Sequence, residues 1–367
     1  MSRDLDVHSP PKKGHELSID IVVNVPPGKS ILTIDQYAAL LLPFGIQDDH
    51  CRVNHYGCVT TEEADSLCVV QTDDSHFSLL PGPEFSPHLY RGQPAFYEEC
   101  LPSLFRKPII QIKYLTDLLK KYEFYKLMAG HPMIGHLVDW CIDGKCFKVD
   151  MEGLAAHYEF ATAMIDVSRS RDVAMFFALC EKNKMGIYVP IVDENREVVL
   201  YTINLQELIY TNNPAFHVIG FQPLPRPDAQ KAYSLWINHG ENLNEYLFIT
   251  RKVFKVHRKE SQKYFDMFEG GAKLFPNDPV DEMALEIRQS MEIDRDVLET
   301  CFERHRIPKA WDNLGEVINF LGCHGYSVKE KLLALSDANK RTIIQKWNSS
   351  PPLSAGRVKC RFVTESA

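Results

Sequence analysis

Residues 153–179, GLAAHYEFATAMIDVSRSRDVAMFFAL, set the tightest limit on the fold. Apolar positions at Leu154, Tyr158 and Ala161 recur at helical spacing, which predicts a helix over residues 151–160. Ile165 and Val167 flank Asp166 in a short extended piece. Val173, Phe176, Phe177 and Cys180 then mark the buried stripe of a second helix. The neighbouring sequence is equally mixed: a strand at 88–91, a helix at 114–128, a β-hairpin pairing 186–191 with 198–203 around Asp193-Glu194-Asn195, a weak helix at 205–210 and a strand at 247–256. The sum is an α+β fold with short strands.

The flanks differ in character. Residues 18–25, SIDIVVNV, alternate and are β-branched, which reads as a strand closed by Pro26-Pro27-Gly28. A short helix follows at 32–42, with Thr33 or Asp35 as its N-cap. Beyond Pro279 the pattern turns helical, at 283–293, 294–304, 311–321, 328–336 and 338–347, with Pro308 and Gly325 as breaks. A chain of 367 residues exceeds what one core usually serves. The expected division is a disordered N-terminus at 1–15, a small α/β unit at 16–80, the main α+β domain at 85–290, a helical C-terminal region at 291–348 and a mobile tail at 349–367.

Composition narrows the functional classes. A hydrophobic share of 45% and a charged share of 25% are ordinary for globular protein. The net charge of −8 argues against a general nucleic-acid role or an anionic-membrane role. No apolar run approaches the roughly 20 residues that span a bilayer, and charges occupy the N-terminal positions where a signal peptide needs its apolar stretch. The ten cysteines lack the dense spacing of a disulfide scaffold, so a reducing cytoplasm is the expected setting.

Two clusters imitate known sites without completing them. Pro27-Gly28-Lys29-Ser30 resembles the end of a phosphate-binding P-loop, but that loop needs a Gly where Val23 stands. His50, Cys51, His55 and Cys58 offer four soft ligands, yet no second pair repeats the spacing of a zinc finger, and Cys141 with Cys146 makes no better site. No metal is expected.

Chemistry concentrates in Tyr90-Arg91-Gly92-Gln93, followed by Leu101-Pro102-Ser103-Leu104-Phe105-Arg106, and in the His157-Tyr158 to Phe177-Ala178 stretch. Together these resemble an FRG domain, whose aromatic-Arg-Gly tripeptide is followed by a Pro-Ser-Leu-x-Arg run. The family's second block runs His-Tyr-Gly-x-x-Thr-Arg-Leu-Leu-Asp-Trp-Thr/Ser before a helix ending in Phe-Ala. His157, Tyr158, Thr162, Asp166, Ser168, Phe177 and Ala178 keep that register, whereas Glu159 replaces the usual Gly and Ala163 the usual Arg. Residues 226–233 and 274–278 resemble the family's later Arg-x-x-x-Gln-x-Gly-x-Phe and Phe-Pro-Asp elements.

The order of motifs also resembles, distantly, the Arg-Ser-Glu class of ADP-ribosyltransferases. That likeness implies a split mixed β-sheet core with a helical C-terminal appendage, and NAD as a substrate cleaved at its nicotinamide-ribose bond. Carried over residue by residue, Arg91 is the phosphate or ribose clamp and Ser168 the pocket hydroxyl. Gln230 occupies the carboxylate position, with Asp166, Glu159 or Asp228 as substitute acids. Tyr90, Gly92, Gln93, His157, Tyr158 and Phe177 would complete the cofactor site. Arg suits a pyrophosphate because its planar fork gives two parallel charge-assisted hydrogen bonds, and Gly92 would admit close backbone approach. A neutral Gln supplies no charge to a cationic transition state, a loss of about 10² to 10³ in rate.

Structural alternatives stand beside these roles. Arg91 pairs with Glu98 or Glu99, Ser168 or Ser170 caps the following helix, and His157, Tyr158 and Phe177 are core. Two functions therefore compete: an NAD-consuming ADP-ribosyltransferase or glycohydrolase with a protein acceptor, and a catalytically inactive recognition module for a nucleotide-type small molecule or protein partner. A toxin or defence system is a setting in which either makes sense.

Overall fold

The computed structural model describes residues 29–40, 46–48, 51–54, 57–60, 66–81, 88–106, 108, 111–210, 216–217, 222, 224–349, 359–361 and 363–364. The strand expected at 18–25 and the side chains of His50 and His55 lie outside them.

The architecture is α+β around a six-stranded antiparallel sheet. Its strands are β1 (His88–Gln93), β2 (Met164–Ser168), β3 (Glu197–Asn204), β4 (Phe216–His217), β5 (Ala232–Trp236) and β6 (Ile249–Lys255), in the spatial order β4-β5-β2-β1-β3-β6. Alternation along β3 explains its central place: Val199, Tyr201 and Ile203 bury on one face with Leu89, Val167 and Leu235, while Val198 and Leu200 bury on the other against Ala174 and Ala178. The hairpin expected between 186–191 and 198–203 does not form. Tyr188–Pro190 pairs instead with Cys180–Lys182, and β3 joins β1 and β6. A strand buried on both faces belongs inside a sheet, whereas a short segment ending in Pro190 suits an edge.

A second, mixed sheet lies apart from the first. Ser66–Gln71 and His76–Pro81 continue into Lys145–Phe147 and Cys141–Ile142, so strands from the expected N-terminal unit share a sheet with residues of the main domain. Lys359–Arg361, expected within a mobile tail, runs parallel to Ser66–Cys68. Cys141 and Cys146 are joined as a disulfide across the Cys141–Ile142 and Lys145–Phe147 pair. Such a bond persists in an oxidising compartment and opens in a reducing one.

Helix α1 (Ile112–Ala129) is the hub between these layers. Its Phe124, Leu127 and Met128 pack on Phe77, Phe147, Leu154 and Tyr158, and its Leu115 and Leu119 pack on Ile293, Val297, Leu298 and Leu321. Helix α2 (Met151–His157) starts at Asp150, whose side chain accepts from the Gly153 N–H. Helix α3 (Arg171–Leu179) starts at Ser170, which accepts from the Val173 N–H.

The C-terminal region is helical apart from one pair of short parallel strands and the irregular chain between helices. Helix α4 (Pro279–Gln289) opens on an Asp278 capping box and a Pro at its first turn, earlier than the apolar spacing implied. Helices α5 (Arg295–Glu303), α6 (Leu314–Cys323) and α7 (Asp337–Ser349) follow, the first two capped by Asp294 and Asn313. The helix expected at 328–336 is absent: Ser327–Lys329 is a strand parallel to Glu292–Asp294, and the chain beyond it is irregular. The Lys331 N–H goes to the Asp294 carboxylate and its ammonium to Glu123, so side-chain partners replace the intrahelical bonds the sequence favoured.

Candidate functional site

The first motif places its three residues in three different environments. Tyr90 lies opposite Ser168 across the β1–β2 pair, and Arg91 opposite Tyr201 on β3. Gly92 is required by packing. A Cβ there would stand 1.7 Å from the Ala174 carbonyl oxygen and 2.6 Å from the Ala178 nitrogen, so α3 crosses β1 with backbone against backbone. Close approach was expected at Gly92, but the group approaching is a helix of the same chain.

Arg91 Nη1 donates to the backbone carbonyl of Asp166 at 2.6 Å. Glu98 and Glu99 are exposed and do not pair with it; among the described residues no carboxylate forms an ion pair with this guanidinium. Arg106, from the Pro-Ser-Leu-x-Arg run, is the second such cation, and its Nε donates to the Leu101 carbonyl at 3.2 Å. Burial, and next the positive charge of Arg91, lowers the hold of Arg106 on its proton. A guanidinium stays charged regardless, so the two arginines together raise a positive potential that the nearby Asp166 carboxylate offsets only in part.

A cavity of about 780 Å3 opens beside them. Arg91, Asp166, Ser168 and Gln230 all border it, as do Tyr90, Gly92, Gln93, His157 and Phe177. Tyr158 does not. Its ring is fully buried, stacked on Phe124, and its hydroxyl donates to the Asp278 carboxylate at the head of α4. Tyr158, expected at the cofactor site, thus lies outside the cavity lining, because the residue after His157 on α2 packs into the core.

Two of the supposed catalytic groups are consumed by the fold. Ser168 Oγ donates to the Gln230 carbonyl at 2.7 Å and accepts from the Ser170 N–H at 3.0 Å, bracing the turn before α3. Gln230 Nε2 donates to the Leu274 carbonyl at 3.0 Å, which turns Oε1 toward His157 Nδ1, 2.9 Å away. In the neutral ring that geometry puts the imidazole proton on Nδ1 and leaves Nε2 an acceptor. Gln230, only 7% exposed, thus links α2 to the Leu274-Phe275-Pro276 segment. Asp166 retains more freedom: Oδ1 accepts from Ser234 Oγ at 3.2 Å, and the residue borders the cavity, as do Glu99 and Glu181. Asp228 is an exposed residue on the Pro225–Ala229 turn, paired with Lys231.

The two departures from the FRG pattern have physical explanations. Glu159 has φ of 64°, the left-handed region in which Gly is most at ease. Its carboxylate pairs with Lys182 and with Arg288, which hold a residue that the backbone alone would not choose. At Ala163 the N–H donates to Glu152 Oε1, which also accepts from Lys121 Nζ, while Glu152 Oε2 accepts from the Tyr125 hydroxyl; the buried cation at this point is Lys121.

Three polar atoms buried beside the cavity have no protein partner: Arg91 Nε, Gln93 Oε1 and His157 Nε2. One is a donor beside a positive charge and two are acceptors. Sequence reasoning missed Arg106, Tyr188 and Arg196, which also border the space. Arg106 carried a signal in its motif, whereas nothing around Tyr188 or Arg196 marked them. Arg196 is neutralised by Glu181 at 2.7 Å, so it adds less to the potential. Among the described residues no group of three or more metal-ligating side chains is assembled, and no helix is long and apolar enough to cross a membrane.

Residues 86–186 match the family model of the FRG domain. No curated protein and no solved structure matches the chain.

Proposed function

We propose that the FRG domain of residues 86–186, completed by Gln230 and the Leu274 segment, is a recognition module for an anionic, nucleotide-type small molecule. The observation that carries this reading is the set of unpartnered buried polar atoms on residues that border one cavity. Buried polar atoms are nearly always satisfied, and a cluster of exceptions calls for a ligand or ordered water. Arg91 and Arg106 supply charge for a phosphate, His157 Nε2 and Gln93 Oε1 accept from hydroxyl or amide donors, and Phe177 and Tyr188 offer aromatic surface. Binding without turnover is favoured because the Ser168 hydroxyl and the Gln230 amide already have partners within the protein.

The test is thermal unfolding with NAD, ADP-ribose and AMP. A ligand at 100 times its dissociation constant adds about 2.7 kcal/mol, which moves the melting temperature measurably. Arg91→Ala is expected to abolish that shift. No shift of the wild type with any of the three would sink the proposal.

A second reading, cleavage of NAD by an ADP-ribosyltransferase or glycohydrolase mechanism, is kept by Asp166 alone. It borders the cavity with one oxygen uncommitted to Ser234, where a carboxylate would stabilise oxocarbenium-like charge. Nicotinamide release that disappears in Asp166→Asn would establish it. Binding with no nicotinamide formed would leave the module reading.

A further inference from the structure

The cavity described above has a neighbour. A second space of about 460 Å3 lies against the short 3-10 turn Ser103–Phe105 and the segment linking α2 to β2. Three residues border both spaces: Arg91, Arg106 and Asp166. They therefore stand where the two hollows adjoin.

The second space is built differently from the first. Leu104, Phe160 and Met164 give it apolar walls, with Tyr114 beside them. Its other charged residues are already matched. Lys113 pairs with Asp117 at 2.6 Å, and Glu159 pairs with Lys182 and Arg288. Arg91 and Arg106 are thus the cations of this space without a carboxylate partner, as they are of the first. Two guanidiniums and one carboxylate sit in the middle, with aromatic or apolar surface in each space.

We propose that the two spaces are the two arms of one site, and that its ligand is two-ended, with a central diphosphate clamped by Arg91 and Arg106. Asp166 at the same junction would accept from a sugar hydroxyl adjoining the diphosphate. Each end of the ligand then takes one arm, a planar or sugar group against Tyr114 and Phe160 on one side and against Phe177 and Tyr188 on the other. This rests on the anion-binding reading of the site and adds the length and symmetry of the ligand. A mononucleotide would fill one arm and leave the other to water.

Titration calorimetry on the full chain with ADP-ribose, AMP and inorganic pyrophosphate tests it. The two-ended ADP-ribose is expected to bind at least about ten-fold tighter than AMP, a difference of about 1.4 kcal/mol. Ala161→Trp, which fills the second arm from its wall, is expected to raise the dissociation constant for ADP-ribose by about ten-fold or more. Equal affinities for ADP-ribose and AMP in the wild type overturn the two-arm proposal while leaving the anion site standing. So does an Ala161→Trp protein that melts like the wild type and binds ADP-ribose unchanged. Failure of all three probes, pyrophosphate included, to bind the wild type overturns the anion site itself and the two arms with it. The wild-type comparison decides the matter even where the variant does not fold.

Discussion

At the scale of single residues, the aromatic-Arg-Gly tripeptide divides its labour. Arg91 borders the cavity, and Gly92 lets α3 lie on β1. The added Cβ of Gly92→Ala meets a helix backbone, which cannot swing aside as a side chain can. The variant is expected to lose about 3 kcal/mol or more, read as a lower urea midpoint with an unchanged slope. A loss below about 0.5 kcal/mol would show that the helix can shift and that packing does not demand the Gly. Glu159 gives the complementary test, since its φ of 64° costs any side chain. Burial raises its carboxyl, but Lys182 and then Arg288 and Arg226 outweigh that, and the net shift is downward. Glu159→Ala and Glu159→Gly lose the same ion pairs and differ only in the backbone. The Gly variant is expected to be more stable than the Ala variant by about 1 kcal/mol, measured by parallel urea titrations. Equal stabilities would contradict the strain assigned here.

At the scale of elements, legibility followed periodicity. The helix at 112–129, the strand at 88–93 and the helix–strand–helix run from Met151 to Leu179 could be read from the spacing of their apolar residues, although the burial itself is less regular, with both faces of Met164–Ser168 covered. The pairing of β3 could not, because alternation states that a strand is buried and leaves its neighbour unspecified. The segment at 328–336 misled for another reason: its helical composition is overridden by Glu123 and Asp294, which lie far away in the chain or across the α5 cap. The candidate site was legible to the same extent. Arg91, His157, Asp166, Ser168 and Gln230 do converge, but sequence could not show that Ser168 and Gln230 spend their hydrogen bonds on Ser170, His157 and Leu274. Tyr158 tests the distinction between lining and supporting. Tyr158→Phe removes a buried donor from Asp278 and is expected to cost about 1–3 kcal/mol in stability. Its affinity for ADP-ribose should stay that of the wild type, because the hydroxyl faces α4. A dissociation constant raised about ten-fold at unchanged stability would return Tyr158 to the binding surface.

At the scale of the whole molecule, α1 ties the middle of the chain to its C-terminal helices through charge as well as apolar packing. Glu123, with no exposed surface, accepts from the Asp294 N–H at 2.5 Å and pairs with Lys331 at 2.9 Å. Asp294 in turn caps α5 and pairs with Lys126. Burial raises the Glu123 carboxyl above its ordinary 4.5, more than Lys331 and the Asp294 N–H lower it. The folded chain therefore keeps a proton that the unfolded chain has released. From about pH 4.5 up through the raised value this group's contribution to stability falls as pH rises, and beyond that it is flat. Urea midpoints collected between about pH 4 and pH 8 should lose that component of their slope in Glu123→Gln, and an identical profile would place the titration elsewhere. The same clasp bears on whether residues 291–348 form a separable appendage. Removing everything after residue 290 would strip Leu115 and Leu119 of their cover and take away both partners of Glu123, the Asp294 N–H and the Lys331 ammonium. Leaving a leucine-sized side chain in water instead of buried forfeits about 1.5–3 kcal/mol, and the sum over that face is comparable with the total stability of many domains. The shortened chain is expected to lose its cooperative melting transition and to bind a hydrophobic dye. A truncated protein that melts sharply within a few degrees of the full chain would show that the C-terminal helices are an attachment, and that α1 is stable with one of its two faces in water.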